Sequence, residues 1–193
     1  MYAAVAGSDP SSHARRAPAG RATLGLVEEH RFRVAGAVVV DGDRLLLVRN
    51  LRRNGSHDWS TPGGVIDPED PSVLHGLARE VEEETGLRVT AWGGLLYEVT
   101  ATSLDLGWVM HCEVHLARGV DGTLTVDDPD GIVDHAAYVG PEDLDAHLEG
   151  CFPWVREPLA EWLLERWSGD APRAFRYEVR GRSLDSLTAV RVP

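Results

Sequence analysis

The segment that decides the fold is residues 63–87, which reads GGVIDPEDPSVLHGLAREVEEETGL. Ser72 is a favoured residue immediately before a helix, and Gly86 suits the left-handed position that follows a helix end. Between them, apolar residues recur every four positions and form one stripe: Val73, Leu77 and Val81. This spacing is typical of a helix with one buried face. The segment therefore predicts an amphipathic helix from Ser72 to about Glu84.

Three carboxylates stand side by side on this predicted helix. Glu80, Glu83 and Glu84 have the spacing i, i+3 and i+4, which places them within an arc of about 100°. Like charges at this spacing repel, so the arrangement does not stabilise a helix by itself. Mg²⁺ takes oxygen ligands and bridges to substrate phosphates. The sequence therefore predicts a Mg²⁺ site, open also to Mn²⁺, with a backbone carbonyl from Gly63 or Gly64 as a further ligand.

Arg79 adds a second kind of group to the same turn. Its guanidinium can hold one of these carboxylates in a productive rotamer through paired hydrogen bonds. A glutamate-rich turn is more often a solvated helix face, and EEE alone would favour that interpretation. The complete string from Pro62 to Leu87 favours the functional one, because so many typed positions rarely assemble by chance.

Charge and composition exclude several other functions. The 193 residues include 31 acidic and 19 basic ones, a net charge of −12, and every basic residue is arginine. Without lysine, a Walker P-loop, a protein kinase and a pyridoxal Schiff-base enzyme are excluded. The acidic balance argues against nucleic acid as a partner. No apolar run reaches the length of a membrane span, and Cys112 and Cys151 fit buried thiols of a cytoplasmic protein.

Outward from residues 63–87, strands and helices alternate, which indicates one α/β domain. We expect a flexible N-terminal extension over residues 1–30, the domain over 31–168, and a β-rich C-terminal extension over 169–193 that packs on the domain or serves a homodimer. The predicted elements are a hairpin (32–40 and 44–49), strands (92–100, 108–118 and 136–139), a hairpin turn at Asp121-Gly122, and helices that begin at Pro141 and near Pro153.

Weaker signals concern the substrate and a second metal site. Arg49 and Arg52 are candidate phosphate-binding residues, although exposed loop arginines are as common, and Trp59 is a candidate stacking surface for a base. His111, Glu113 and His115 alternate along one strand and offer transition-metal ligands. An outward polar face of a half-buried sheet explains these three residues better.

The segment also resembles a known motif, the Nudix box, in which a Gly, five residues, a Glu and seven residues precede Arg-Glu-aliphatic-x-Glu-Glu-x-Gly-aliphatic. Gly63 and Glu69 keep the first spacing, and the second half is complete: Arg79, Glu80, Val81, Glu83, Glu84, Gly86 and Leu87. Nine residues, from Asp70 to Ala78, stand where the family has seven. Because of this longer loop, Glu69 and Asp70 are equal candidates for the first acidic position.

The resemblance implies an α/β protein with the Nudix fold, an α/β/α sandwich with a mixed β-sheet. It also implies a Mg²⁺-dependent hydrolase that cleaves a pyrophosphate bond in a nucleoside diphosphate linked to another moiety. The catalytic residues that the resemblance implies are Glu83, Arg79 and Glu80. In this family the general base is a box glutamate or an acid on a later loop, here one of Asp127, Asp128, Asp130 and Asp134. Two alternatives remain: a non-catalytic nucleotide-sensing module on the same scaffold, and an isopentenyl-diphosphate isomerase-like enzyme that uses a Cys and Glu pair.

Overall fold

The computed structural model describes residues 30–52, 54–183 and 186–193. The predicted N-terminal extension lies outside these residues except for His30. The described residues contain eight strands and three helices, in this chain order: β1 (His30–Asp41), β2 (Arg44–Leu51), β3 (His57–Ser60), α1 (Val73–Thr85), β4 (Leu87–Ser103), β5 (Trp108–Gly122), β6 (Val133–Val139), α2 (Pro141–Leu148), α3 (Pro153–Glu165), β7 (Arg173–Arg180) and β8 (Thr188–Val192).

The strands form one mixed sheet in the order β3-β2-β1-β5-β4-β7-β8, and β6 pairs with β2. The β1–β5 and β4–β7 pairs are parallel, and the other pairs are antiparallel. The C-terminal strands β7 and β8 thus extend the sheet beyond β4. None of the described helices is long and apolar enough to span a membrane.

Helices cover both faces of the sheet. Alternate residues of β1 point to opposite sides, and each set packs against different helices. Ala35 and Ala37 pack with Leu77 and Val81 of α1. Val34 and Val38 belong to the larger core, which receives side chains of α2 and α3: Leu144, Leu148, Trp154, Leu159 and Trp162. Each large apolar side chain buried in this way stabilises the fold by about 1.5–3 kcal/mol. The predicted α/β/α sandwich with a mixed sheet is confirmed.

Helix α1 begins and ends where its capping residues predict. The Ser72 side chain accepts a hydrogen bond from the His75 backbone N–H, and Gly86 closes the helix with φ of 70°. The apolar stripe is fully buried at Leu77 and Val81. The burial of this stripe fixes which side of α1 faces the sheet.

Two local predictions are wrong. Asp121-Gly122 does not form a hairpin turn, because Asp121 pairs with Arg88 and Gly122 with Leu87, so that β5 continues to residue 122. His115 does not lie on an outward face: it is only 7 % exposed. Its Nε2 lies 3.1 Å from a Glu113 carboxylate oxygen, and its ring meets Trp92 edge-on. Both differences come from the long β4, whose distant residues a local pattern does not reveal.

Candidate active site

The loop before α1 is fastened along β1. The Ala35 N–H donates to the Gly64 carbonyl at 3.0 Å, and the Ala37 N–H donates to the Pro62 carbonyl at 2.8 Å. Gly63 has φ of 138°. A Cβ at Gly63 would overlap the Ala35 carbonyl oxygen, so only glycine allows the loop to approach the strand this closely. The Gly63-Gly64 pair is therefore held rigidly beside the acidic turn of α1.

Glu84 is the most buried of the three glutamates. Its side chain reaches back to the loop, where the Gly63 backbone N–H donates to its carboxylate at 2.7 Å. The residue is only 5 % exposed. Burial raises the pKa of Glu84 to about 8, although the hydrogen bond from Gly63 favours the charged form. Within the described residues, no arginine or histidine forms an ion pair with Glu84. It is a buried carboxylate that lacks a compensating cation there.

Glu80 lies one turn earlier and is also partly buried. Its carboxylate rests against Gly64, so closely that a Cβ at that position would overlap it. One of its oxygens lies 2.9 Å from a guanidinium nitrogen of Arg79. Burial raises the pKa of Glu80 above its ordinary value, and the positive charge of Arg79 opposes that rise.

Arg79 connects the helix to the loop that precedes it. It donates to a Glu83 carboxylate oxygen at 2.9 Å and to an Asp70 carboxylate oxygen at 3.3 Å. Asp70 also accepts from the Asp67 backbone N–H at 3.1 Å, whereas Glu69 is exposed. Of the two candidates for the first acidic position, Asp70 therefore has the contact with Arg79.

A cavity of about 330 Å³ opens beside these groups. Acidic side chains make up much of its wall: Asp67, Glu80, Glu84, Asp128 and Asp130. Arg79 and Gly64 also line it, and the apolar part of the wall consists of Phe32, Val65 and Ile132. An anion enters so acidic a cavity only together with cations that offset its charge.

The predicted metal ligands are divided by this geometry. Glu80, Glu84 and Gly64 line the cavity, while Gly63 contributes its N–H to Glu84. Glu83 is not among the described lining residues, and its carboxylate accepts from Arg79. No three His, Cys, Asp or Glu side chains in the described part of the chain lie close enough together to hold a metal ion as they stand. Arg79 contacts the carboxylates of both Glu80 and Glu83, each at 2.9 Å.

A family model described as "NUDIX domain" matches residues 30–163. The chain belongs to the Nudix family. The match extends from the first residue of β1 almost to the end of α3, so it includes the cavity and both helices that cover the sheet.

Curated relatives match this Nudix chain over a short segment. A MutT-like protein of Streptomyces ambofaciens is 48 % identical over 60 residues, which are 31 % of this chain and 36 % of that protein. The mitochondrial coenzyme A diphosphatase NUDT8 of Mus musculus is 43 % identical over 56 residues, 26 % of this chain and 27 % of that protein. The matched segments thus span about a third of the relatives' length or less.

Solved structures agree over more of the chain. The MutT NUDIX hydrolase from Burkholderia pseudomallei is 28 % identical, with a TM-score of 0.51 over 58 % of this chain and 84 % of that one. The E. coli ORF135 protein, 19 % identical, has a TM-score of 0.58 over 74 % of this chain and 97 % of that one, and it supports the fold alone.

The predicted substrate-binding residues lie elsewhere in the Nudix domain. Arg49 donates to both carboxylate oxygens of Asp134, at 2.8 and 3.1 Å, and Arg52 bonds Asp58. Trp59 makes edge-on ring contacts with two imidazoles, at centroid distances of 5.9 Å from His135 and 4.7 Å from His147. None of the three is among the described residues that line the acidic cavity.

Sequence reasoning did not identify the apolar wall of the cavity. Phe32 lies on β1, and Ile132 comes from the loop between β5 and β6, a hundred residues later. No local pattern signals that these two side chains line one cavity with Val65, because the sheet brings them together. The later acidic stretch was a usable signal, since Asp128 and Asp130 do line the cavity.

Proposed function

We propose that this protein is a divalent-cation-dependent hydrolase that cleaves the pyrophosphate bond of a nucleoside diphosphate linked to another moiety. The observation that carries the proposal is Glu84, a buried carboxylate beside Glu80 in an acidic cavity. Ionised carboxylates are costly to bury unless a cation accompanies them. A cation bound between these two carboxylates would offset the free-energy cost of burying them.

The donor set fits Mg²⁺, with Mn²⁺ as a substitute. Glu80, Glu84 and the Gly64 carbonyl offer oxygen atoms only, which hard divalent cations prefer. Glu83 joins this set if its carboxylate leaves Arg79. The bound cation would neutralise charge on the phosphate oxygens and lower the pKa of a bound water.

The protein's own residues have distinct roles in this proposal. Glu80 and Glu84 hold the cation, and Arg79 restrains the acidic turn against Asp70.

A general base must accept the proton of the attacking water, and Glu83 or a loop acid is a candidate. Asp134 is a weaker candidate because Arg49 and His57 bond its carboxylate and lower its pKa. Asp127 is not among the described lining residues, which leaves Asp128 and Asp130 as the loop candidates.

The names of two relatives support the substrate class. One is a coenzyme A diphosphatase, and the other, 39 % identical over 59 residues, is called nucleoside diphosphate-linked moiety X motif 6. The first name gives a diphosphatase activity, and the second names a nucleoside diphosphate linked to another moiety. A small-molecule nucleotide of this kind is the proposed substrate, and the cytoplasm is the proposed compartment.

The isomerase-like alternative is less well supported by the cysteines. Burial raises the pKa of Cys112 to about 12, and it raises the pKa of Cys151, whose thiol donates to the Trp59 carbonyl at 2.9 Å. Neither thiol is among the described residues of the acidic cavity. The sensing-module alternative predicts binding without turnover.

A panel of nucleoside diphosphate derivatives and triphosphates, assayed with Mg²⁺ and Mn²⁺, tests the proposal. We expect release of nucleoside monophosphate or phosphate by the wild-type protein, and near-complete loss in Glu83→Gln and Glu84→Gln with the fold intact. Glu82→Gln is the matched control, because Glu82 is an exposed glutamate of the same helix. Unchanged turnover in both of the first two variants would overturn the proposal, and binding without turnover would favour the sensing module.

A further inference from the structure

The carboxylate of Asp128 organises the loop between β5 and β6. One of its oxygens accepts from the backbone N–H groups of Ile132 and Val133, both at 2.7 Å. The other oxygen accepts from the Asp130 N–H at 3.2 Å. Hydrogen bonds from backbone N–H groups to a charged acceptor are stronger than neutral ones. The Asp128 side chain thus binds the backbone at three positions between residues 130 and 133.

Residues 130–133 are also hydrogen-bonded to the sheet. The Ile132 carbonyl accepts from the Leu51 N–H at 2.7 Å, so both backbone groups of Ile132 are bonded. The chain turns at Gly131, where φ is 65°, and the Gly131 N–H closes the turn on the Asp128 carbonyl at 3.1 Å. The loop therefore leads into β6 in one defined position relative to β2.

This segment supplies part of the acidic cavity. Asp130 and Ile132 line it together with Glu80 and Glu84. Asp128 borders the cavity as well, but its carboxylate already accepts three hydrogen bonds. Those bonds occupy most of the lone-pair directions that a carboxylate offers to a cation or a proton.

We propose that Asp128 is a positioning residue, which acts through the backbone of residues 130–133 to place the Asp130 and Ile132 side chains at the cavity. The inference rests on the proposed function, because the wall matters for turnover only if the cavity is the active site. It assigns Asp128 neither the role of general base nor that of cation ligand.

Two substitutions separate positioning from direct chemistry. Asp128→Asn keeps one oxygen for the Ile132 and Val133 N–H groups, whereas Asp128→Ala keeps none. We expect kcat to fall about 10- to 100-fold in Asp128→Ala, since a wall displaced by about 1 Å costs this much. Asp128→Asn is expected to recover most of that loss. A cation ligand or a general base would instead lose as much in Asp128→Asn as in Asp128→Ala.

Amide hydrogen exchange gives a readout that does not depend on turnover. We expect faster exchange at Ile132 and Val133 in Asp128→Ala, and near-normal protection in Asp128→Asn. Asp105→Ala is the matched control, because the Asp105 carboxylate also accepts from a backbone N–H, that of Gly181 at 3.0 Å, and Asp105 is not among the described cavity residues. We expect this control to keep its turnover and its exchange at residues 132–133.

The outcomes distinguish the inference from the proposed function. Equal loss of kcat in both Asp128 variants, with unchanged exchange at residues 132–133, would overturn the positioning role and leave the hydrolase intact. If the wild-type protein cleaves no member of the nucleotide panel, the proposed function fails. The exchange data then still decide whether Asp128 holds the loop, and unchanged protection in Asp128→Ala would refute that as well.

Discussion

The Gly63 backbone N–H and the Glu84 carboxylate are joined by a 2.7 Å hydrogen bond that spans 21 residues of the chain. This bond links the loop on β1 to the acidic turn of α1. It offsets only part of the cost of burying Glu84, whose pKa burial raises to about 8. The part of this desolvation cost that the hydrogen bond does not offset makes the protonation of Glu84 sensitive to pH and to a bound cation.

The first prediction concerns the pH dependence of stability without metal. Because the pKa of Glu84 is about 8 in the folded protein and ordinarily 4.5, the folded state holds more protons than the unfolded state between these values. The free energy of unfolding therefore falls as pH rises from about 5 to 8, by an amount on the order of a few kcal/mol. Glu84→Gln removes this contribution. Urea denaturation of both proteins in chelator at several pH values measures the difference, and parallel pH profiles would refute it.

The second prediction concerns Gly64→Ala. The new Cβ would overlap the Glu80 carboxylate, which must then move from its place in the cavity. We expect kcat to fall at least about tenfold, because misplaced catalytic groups reduce rates steeply. Gly150→Ala is the control, since the space around Gly150 is open. Steady-state kinetics decide the matter, and a Gly64→Ala enzyme as active as the control would show that the position of Glu80 is unimportant.

The third prediction concerns Arg79→Lys. The guanidinium reaches Asp70, Glu80 and Glu83 at once, and a lysine ammonium on its flexible stem does not reproduce that planar fork. We expect a lower kcat, by about tenfold or more, with a small change in melting temperature. Arg88→Lys on β4, where the side chain is exposed, should be neutral. If both variants behave alike, Arg79 serves only as a positive charge.

The fourth prediction couples pH to cation binding. Glu84 must lose its proton to bind a cation, so affinity for Mg²⁺ should rise with pH up to about 8. Bound cation stabilises the folded state by mass action. The increase in melting temperature on adding Mg²⁺ should therefore be larger at pH 8 than at pH 6 in the wild type and small at both in Glu84→Gln. An increase independent of pH would place the cation away from Glu84.

How much of the site the sequence predicts depends on the distance over which its residues act. The Ser72 cap, the Gly86 terminus and the adjacency of Glu80, Glu83 and Glu84 are local properties of one helix, and the structure contains them. The direction of each carboxylate is not local. Gly63 holds Glu84, while Arg79 holds Glu83, and these contacts require the loop to lie on β1.

The role of Asp70 and the wall of the cavity illustrate the same limit. Spacing leaves Glu69 and Asp70 equivalent, and only the path of the longer loop places Asp70 on Arg79. Phe32 and Ile132 come together through strand order, which no short pattern encodes. Asp121-Gly122 has the composition of a turn, yet pairing with Leu87 and Arg88 keeps it within β5.

The most direct measurement is anomalous diffraction from crystals soaked in Mn²⁺. We expect a peak in the acidic cavity, coordinated by carboxylate oxygens of Glu80 and Glu84, and its loss in Glu84→Gln crystals. A fully soaked wild-type crystal with no peak there, in which Glu80 still lies on Arg79 and Glu84 on Gly63, would contradict the proposed cation site.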